Sequence, residues 1–359
     1  MVMDVAVIGG GQSALAAGYY LRRTPLRFAL LDDQPGPGGA WRHTWPSLRL
    51  FSPAQWSSLP GWLLPRDADD APDGYPSRDA AIRYLSEYER RYDLPVERLV
   101  HVHGVHRTDD GFRLDTSHGD MHPRAVVSTT GTWSAPVMPS LPGQSDFRGV
   151  LLHSAAYAGP APFAGQRVIV VGGGNSGAQI LAELSETARV TWATRAPPHF
   201  LPDDVDGRYL FDQATARYRA LQEGRTPDPP RSLGDIVMVP PVRAARERGV
   251  LVAEPMFVRF TTDGVVWPAG REERVDAVLF ATGFRPALTH LAPLGVVDDD
   301  GRVEIARGGS GTRAAREPML WLLGYGEWTG FASATLIGVG RTARAAVDEI
   351  TTALGAGGG

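Results

Sequence analysis

The sequence contains no cysteine among its 359 residues, and this absence restricts the chemistry of the chain more than any other feature of its composition. Without cysteine there are no structural disulfides and no thiolate nucleophile. The redox-active cysteine pair that disulfide reductases require is excluded for the same reason.

Long apolar runs and runs of basic residues are also missing. No stretch is apolar over the length needed to span a bilayer, and the first ten residues lead directly into a predicted strand. The 36 basic residues are scattered and the formal net charge is -4, so we expect neither nucleic acid nor a membrane surface as a partner. The composition, with 43% hydrophobic residues, is typical of a globular cytoplasmic protein, and the length favours two domains.

A first dinucleotide-binding pattern lies at the start of the chain. An apolar strand over 4–8 runs into Gly9-x-Gly11-x-x-Ala14, and an apolar helix follows. The next strand, 28–31, ends at Asp32, an acid placed to accept hydrogen bonds from ribose hydroxyls. The alternative is an ordinary turn between strand and helix, but the strand, glycines, helix, strand and acid fall in the order that nucleotide binding requires.

A second pattern of the same kind follows the sequence RVIVV. Glycines at 172, 174 and 177 lead into a helix from Asn175, and a strand over 189–194 ends at Arg195. The chain advances by 23 positions from Gly9 to Asp32 and by 23 positions from Gly172 to Arg195. A base thus replaces the acid, and a guanidinium suits a 2′-phosphate, so this site is predicted to prefer NADPH to NADH. The alternative is that Arg195 is only a surface residue.

Four tryptophans lie in a loop rich in glycine and proline, and their apolar rings are predicted to cover a flat cofactor or to line a pocket. They are Trp41, Trp45, Trp56 and Trp62. The alternative is irregular surface structure. Ser77 is predicted to cap a helix that serves as scaffold.

His101 and His103 lie on one face of a predicted strand, which raises the question of a metal site. A convincing set of further ligands is absent, and the turn signal at 109–111 favours a β-hairpin with solvated histidines instead. No metal site is therefore predicted.

Two strands, predicted over 125–131 and 276–283, each close with a Thr-Gly pair and read as crossings between domains. The predicted fold class is therefore α/β, with two Rossmann-like dinucleotide-binding domains, the second inserted into the first. The first domain spans 1–160 and 285–359, and the second spans 161–284. An insertion over 201–249, with a helix near 209–222, is expected to cover the active site. The last helix is predicted to begin at Ser333, where its amino end can stabilise negative charge.

Several motifs together resemble the flavin-containing monooxygenases, the class B flavoprotein monooxygenases, over nearly the whole chain. The most specific is Phe147-x-Gly149-x-x-x-His153-x-x-x-Tyr157, and the finer features GYGEWTGFASATLIGVGR and SLRLFSPAQWSSLPGW resemble a small bacterial subgroup that includes arsenic-resistance-operon flavin monooxygenases. The resemblance implies FAD in the first domain and NADPH in the second, with NADH as a further donor that the sequence leaves open. For His153 we favour a structural role that ties the crossing to the domains.

The resemblance also implies a reaction and a set of binding residues. Reduced flavin would react with oxygen to give a C4a-hydroperoxide, which oxygenates soft nucleophiles such as sulfides, or ketones by a Baeyer–Villiger reaction. The expected partners are thus a small organic substrate and molecular oxygen, and a homodimer is the default assembly. The candidate cofactor-binding residues are Gly9, Gly11, Gln12, Ser13, Asp32, Gly39, Trp41, Trp45, Val105, Gly131, Gly172, Gly174, Asn175, Ser176, Arg195, Thr282, Gly283, Trp328 and Ser333.

Phe51 is the one departure from the family pattern. Larger members carry an asparagine at the position to which Phe51 aligns, where it helps to hold NADP and to stabilise the oxygenated flavin. A phenyl ring cannot donate that hydrogen bond, so we predict poor coupling of NADPH use to oxygen transfer. The alternative functions are an NADPH oxidase that releases hydrogen peroxide, which has the same motifs, and a flavoprotein that senses redox state without turnover. A disulfide reductase is excluded by the missing cysteines.

Overall fold

The computed structural model describes residues 3–66, 75–203, 205, 216, 225, 235–330 and 332–355. The chain divides into two compact units. The first consists of Met1–Arg42, Pro53–Ala135 and Arg285–Gly359, and the second of His43–Ser52 and Pro136–Phe284. Apart from residue 216, the helix predicted near 209–222 lies outside the described residues.

The described part of the chain contains both strands and helices throughout. In chain order the strands are β1 (Met3–Ile8), β2 (Phe28–Asp32), β3 (Val96–Arg98), β4 (Val102–Thr108), β5 (Gly111–Thr116), β6 (Pro123–Ser128), β7 (Val150–His153), β8 (Arg167–Val171), β9 (Arg189–Thr194), β10 (Ala253–Pro255), β11 (Arg259–Thr261), β12 (Gly264–Val266), β13 (Glu272–Arg274), β14 (Ala277–Phe280) and β15 (Leu320–Leu322). The α-helices are α1 (Gln12–Leu21), α2 (Arg78–Arg91), α3 (Asn175–Leu184), α4 (Pro240–Glu247) and α5 (Leu336–Ala353).

The first unit is built on a five-stranded parallel sheet in the order β15-β6-β1-β2-β3. Its central strand is apolar from Val5 to Ile8 because both faces of a parallel sheet are covered, and these residues are at most 4% exposed. Helix α2 begins where the serine signal predicts, because the Ser77 hydroxyl accepts a hydrogen bond from the Ala80 N–H. Strands β4 and β5 form the predicted hairpin.

The second unit repeats this plan with a parallel sheet in the order β10-β9-β8-β14-β7, and adds an antiparallel sheet of β11, β12 and β13. Along β8, Val168 and Val170 pack into one core cluster, while Ile169 and Val171 pack into another. The alternation of side chains along a strand therefore fills both faces of this sheet. The predicted boundary at residue 160 falls inside this unit, because β7 pairs with β14.

The sequence predicts that each Thr-Gly pair is the end of a strand. In the structure both pairs lie just beyond their strands. Strand β6 ends at Ser128 and β14 ends at Phe280. Gly131 and Gly283 then adopt left-handed backbone conformations, with φ of +66° and +82°, which end the extended structure. Among the described residues, no helix is long and apolar enough to cross a membrane.

Candidate functional site

In the first sheet, the strands that follow β1 are added on one side as far as β3, and β6 is then added on the other side of β1. The glycine turn after β1 lies at this switch point between β1 and β6. In an open α/β sheet the crevice beyond such neighbouring strand ends is where ligands bind. Gly9 has φ of +118°, and a Cβ atom there would lie 2.6 Å from the Thr129 Oγ1. The Thr129 hydroxyl donates a hydrogen bond to the Ile8 carbonyl at 2.7 Å. Only glycine therefore lets the chain turn this closely against the end of β6.

The start of helix α1 is open to a ligand. Gly11 is its N-cap, and no side chain of the described residues caps it. A Cβ at Gly11 would meet only the Gly39 Cα, 3.8 Å away, whereas a Cβ at Gly39 would lie 2.7 Å from the Gly11 Cα. The first N–H groups of the helix thus face a space bounded by two glycines, which fits the pyrophosphate of a dinucleotide.

Asp32, at the end of β2, lies directly beneath this turn. Its side chain is buried, and a Cβ at Gly10 would come within 2.3 Å of its carboxylate. The Arg98 guanidinium contacts this carboxylate and also the Glu89 carboxylate on α2. Burial raises the pKa of Asp32, and the Arg98 charge opposes that rise. Asp32, which the sequence predicted as a site residue, is therefore held in place by Arg98, which the sequence did not predict.

Three further predicted residues surround the start of α1. The Gln12 side chain donates to the Ala334 carbonyl at 2.7 Å and accepts from the Trp41 indole N–H at 3.1 Å. Ser13 is 6% exposed and lies against Gly324. The structure thus brings Gln12, Ser13 and Trp41 together at the first switch point.

The prediction that the last helix begins at Ser333 is wrong. Helix α5 begins at Leu336, and Thr335 is its N-cap, whose hydroxyl accepts a hydrogen bond from the Gly338 N–H. The buried Ser333 hydroxyl instead donates to the Gly326 carbonyl at 2.8 Å, and Ala332 has φ of +60°. Ser333 therefore closes the preceding loop and does not cap the helix.

A buried polar network beside Gly131 was not predicted. The Ser128 hydroxyl lies 3.0 Å from the His290 Nε2 and 2.5 Å from the Tyr325 hydroxyl. The Tyr325 hydroxyl also accepts a hydrogen bond from the Thr130 N–H. Burial lowers the pKa of His290 to about 4 and raises the pKa of Tyr325. These residues are far apart in the chain, so no spacing in the sequence could have found them.

Two other candidates of the first unit lie in or against its core. Val105 is fully buried in β4, where it pairs with Leu114. Trp328 packs against the same core with its ring centroid 5.5 Å from that of Tyr325. His101 and His103 have ring centroids 4.8 Å apart, and no cluster of metal ligands occurs among the described residues.

The second switch point, between β8 and β14, repeats the first. Gly172 has φ of +132°, and a Cβ there would lie 2.2 Å from the Ala281 carbonyl oxygen. A Cβ at Gly177 would lie 2.3 Å from the Gly172 carbonyl oxygen, so helix and turn can approach only through glycine. Gly174 is the N-cap of α3, again with no side-chain cap among the described residues. This helix start, which includes Ser176, fits a second pyrophosphate.

A cavity of about 510 Å³ opens at this point. Its lining includes Gly172, Gly173, Thr194, Arg195, His199, Asp235 and Thr282. Arg195 is exposed, and its side chain forms no hydrogen bond or ion pair with any residue in the described ranges. A guanidinium in a cavity beside an open helix start is suited to bind a phosphate.

Asn175 has a different contact from the one expected. Its side chain donates to the Asp235 carbonyl at 3.0 Å and accepts from the Val237 N–H at 2.9 Å. These two bonds fix the chain that enters α4 against the start of α3. Asn175 therefore holds one wall of the cavity, and its amide is already satisfied by protein groups.

The residues of the spaced signature each have a packing or bonding role. A Cβ at Gly149 would lie 2.3 Å from the Phe147 ring and 2.6 Å from the Asp276 carbonyl oxygen. The His153 Nδ1 accepts from the Ala155 N–H, so its Nε2 is the atom that donates to the Gly283 carbonyl at 3.1 Å. Burial lowers the pKa of His153 and keeps the ring neutral. These contacts agree with a structural role for this histidine.

The segment His43–Ser52, which carries Trp45 and Phe51, packs within the second unit. Trp45 is 6% exposed and Phe51 packs, partly buried, against the same core cluster. By contrast, Trp62 packs on α2, with its ring centroid 5.1 Å from that of Tyr84. Trp45 and Trp62 therefore belong to different units.

A family model described as pyridine nucleotide-disulphide oxidoreductase matches residues 6–207, more than half of the chain. Among solved structures, a flavin-containing monooxygenase from Stenotrophomonas maltophilia is 50% identical, covers 99% of this chain and 100% of its own, and has a TM-score of 0.89. A CzcO-like oxidoreductase from Geobacillus kaustophilus is 27% identical over 97% of this chain and 98% of its own length. An indole-3-pyruvate monooxygenase from Oryza sativa subsp. japonica is 26% identical over 79% of this chain and 77% of its own length.

Proposed function

This chain belongs to the pyridine nucleotide-disulphide oxidoreductase family and to the flavin-containing monooxygenases, and we propose on that basis that it uses FAD and NADPH to oxygenate soft nucleophiles such as organic sulfides. It is an oxidoreductase that uses a flavin and a pyridine nucleotide. In the proposed reaction, NADPH, a proton, oxygen and a sulfide yield NADP⁺, water and a sulfoxide.

The observation that carries this proposal is the pair of open helix starts with side chains of opposite charge beside them. Asp32 accompanies the start of α1, and its carboxylate suits the free ribose hydroxyls of FAD. Arg195 accompanies the start of α3, and its guanidinium, which has no hydrogen-bond or ion-pair partner among the described residues, suits the 2′-phosphate of NADPH. The two sites thus differ in the group that distinguishes the two nucleotides.

The bound flavin supplies the hydride acceptance and the oxygen activation, so the chain needs no nucleophile of its own. The backbone N–H groups at Gly11 and Gly174 would hold the two pyrophosphates. The neutral His153 would hold the turn at Gly283 through its Nε2–H and would transfer no proton in the reaction.

A sulfide is the expected substrate class because its lone pair is a soft nucleophile, and a cyclic or linear ketone is the second class. The test is to supply purified holoenzyme with NADPH, oxygen and methyl phenyl sulfide, and to measure sulfoxide and hydrogen peroxide per NADPH consumed. Sulfoxide formed in proportion to NADPH supports the proposal. Consumption of NADPH with stoichiometric peroxide, and with no product from sulfide or ketone, would overturn it.

Release of peroxide is the second candidate function, and Phe51 is the observation that favours it. A phenyl ring offers no hydrogen-bond donor where larger family members present an amide. The same assay separates the two functions, because an oxidase gives one peroxide per NADPH whether or not sulfide is present.

A further inference from the structure

Buried hydroxyl groups in the first unit link a histidine to the segment Thr129–Gly131 (the Gly131 turn), which follows β6 at the first switch point. We infer that these groups form a hydrogen-bond chain with one direction, and that Tyr325 thereby positions the Gly131 turn at the flavin nucleotide site. In the order of donation the chain is His290, Ser128, Tyr325, Thr130 and the Ala287 carbonyl. All of these residues belong to the first unit. The role at the nucleotide site rests on the proposed function, whereas the direction of the chain does not.

The direction follows from the single proton that each hydroxyl group can donate. A carbonyl only accepts, so the Thr130 hydroxyl must donate its proton to the Ala287 carbonyl, 2.7 Å away. The 2.8 Å contact between the Thr130 and Tyr325 hydroxyls then requires the phenol as donor. Because the phenol has no second proton, the Ser128 hydroxyl must donate to Tyr325. The Ser128 proton is then used as well, so the His290 Nε2 must carry the proton in its contact with Ser128.

Burial makes each of these bonds necessary. Ser128 is fully buried, and His290 and Tyr325 are 4% and 5% exposed. A buried polar atom that faces a lone pair instead of a proton loses its hydrogen bond, and water is not there to replace it. Burial also lowers the pKa of His290, so its ring is neutral at pH 7 and has a single N–H. A neutral ring with its proton on Nε2 is thus the form that satisfies all of these contacts.

The Gly131 turn is fixed on two sides. The Thr129 hydroxyl and the Thr129 N–H both donate to the Ile8 carbonyl, at 2.7 and 2.8 Å, which joins the turn to the end of β1. On the other side, the Tyr325 hydroxyl accepts from the Thr130 N–H at 3.1 Å and donates to the Thr130 Oγ1. The phenol therefore makes two bonds to one residue of the turn.

The backbone beside Tyr325 contacts the other border of the same crevice. A Cβ at Gly324 would lie 2.0 Å from the Ser13 Oγ, in the first turn of α1. The Leu323 N–H donates to the Ser128 carbonyl at 3.0 Å, at the end of β6. One loop thus contacts both the open helix start and the strand end that border the proposed pyrophosphate site. Loss of the phenol should therefore release the Gly131 turn and weaken FAD binding.

The direction of the chain is tested on the unsubstituted protein. Nitrogen NMR of protein with isotopically labelled histidine, recorded at pH 7, shows which ring nitrogen of His290 carries the proton, and His290→Gln assigns the signals. A proton on Nε2 supports the chain, and a proton on Nδ1 would overturn it. This measurement requires neither a bound nucleotide nor turnover.

Tyr325→Phe tests the positioning role, and Tyr84→Phe is the matched control. Tyr84 is a 2% exposed residue of α2 whose hydroxyl likewise accepts from a backbone N–H, that of Leu59, and donates to the Trp62 carbonyl, both at 2.7 Å. In Tyr325→Phe, hydrogen–deuterium exchange of the peptide that contains Thr130 should be about three- to tenfold faster. The Kd of FAD, measured by equilibrium dialysis, should rise by about the same factor. Both quantities should stay within about twofold of wild type in the control.

The outcomes separate the inference from the proposed function. Faster exchange and weaker FAD binding in the Tyr325 variant alone support the positioning role. Unchanged exchange would overturn it, and so would faster exchange with an unchanged Kd of FAD, because the turn would then not serve the nucleotide. An equal rise of both quantities in Tyr84→Phe would also overturn it. A wild-type protein that binds no FAD would refute the proposed function and the role at the nucleotide, while the NMR measurement would still decide the direction of the chain.

Discussion

Replacement of Arg195 by glutamine should abolish the preference for NADPH over NADH that we propose for the second site. Arg195 lines the cavity and has no partner among the described residues, so its guanidinium is free to bind a 2′-phosphate. A hydrogen bond to a charged group contributes about 1.5–3 kcal/mol. Its loss should raise the KM for NADPH about 10- to 150-fold. The KM for NADH should change less than about twofold, because NADH has no phosphate at that position.

The assay is the initial rate of flavin reduction under anaerobic conditions as each nucleotide is varied. Arg189→Gln is the matched control, since Arg189 lies exposed at the opposite end of the same strand, β9. The wild-type preference for NADPH should also weaken as salt is raised, because ions screen an exposed guanidinium. Equal losses for NADPH and NADH in Arg195→Gln, or the same shift in Arg189→Gln, would refute the reasoning.

Three further expectations concern the flavin site, coupling and acid stability. Arg98→Met should weaken FAD retention about tenfold or more, because Asp32 loses the neighbouring positive charge that opposes the rise in its pKa. Equilibrium dialysis against FAD at pH 5 and pH 8 measures the retention, and a loss of equal size at both pH values would contradict this reason. Phe51→Asn should lower the peroxide released per NADPH, since an amide can donate a hydrogen bond and a phenyl ring cannot, and an unchanged leak would count against that role. The pKa of His290 is about 4 in the folded chain and 6.5 in the unfolded one, so the unfolded state takes up the proton first as pH falls. The free energy of unfolding should therefore fall by about 3 kcal/mol as pH drops from 6.5 to 4. Urea unfolding of wild type and His290→Gln over this pH range tests the expectation, and the same dependence of the free energy of unfolding on pH in both proteins would exclude it.

The sequence predicts the local parts of this fold well because their signals are short-range. A run of β-branched residues, a glycine turn and an apolar helix specify each nucleotide-binding unit within about 25 residues, and both sheets confirm the α/β class. The helix starts at Asn175 and after Ser77 also agree with their signals. The two strands end earlier than predicted, because Thr129, Thr130 and Thr282 favour strands by residue type but lie beyond the last residues of β6 and β14.

What the sequence could not supply are contacts between residues far apart in the chain. Arg98 meets Asp32 only because β3 pairs with β2, and Glu183 meets Ser47 only through tertiary packing. The start of the last helix was missed for a related reason. Ser333 and Thr335 are equally good caps by residue type, and the left-handed backbone at Ala332 decides between them.

The grouping of His43–Ser52 with the second unit has a consequence for recombination between homologous genes. An exchange of residues 136–284 alone would separate the buried Trp45 from the Tyr157 ring on which it packs. The resulting chimera would carry a tryptophan from one parent against a core from the other, and its Ser47 would face a carboxylate selected for a different neighbour. Functional hybrids of this architecture should therefore be those in which the short early segment is inherited together with the later one.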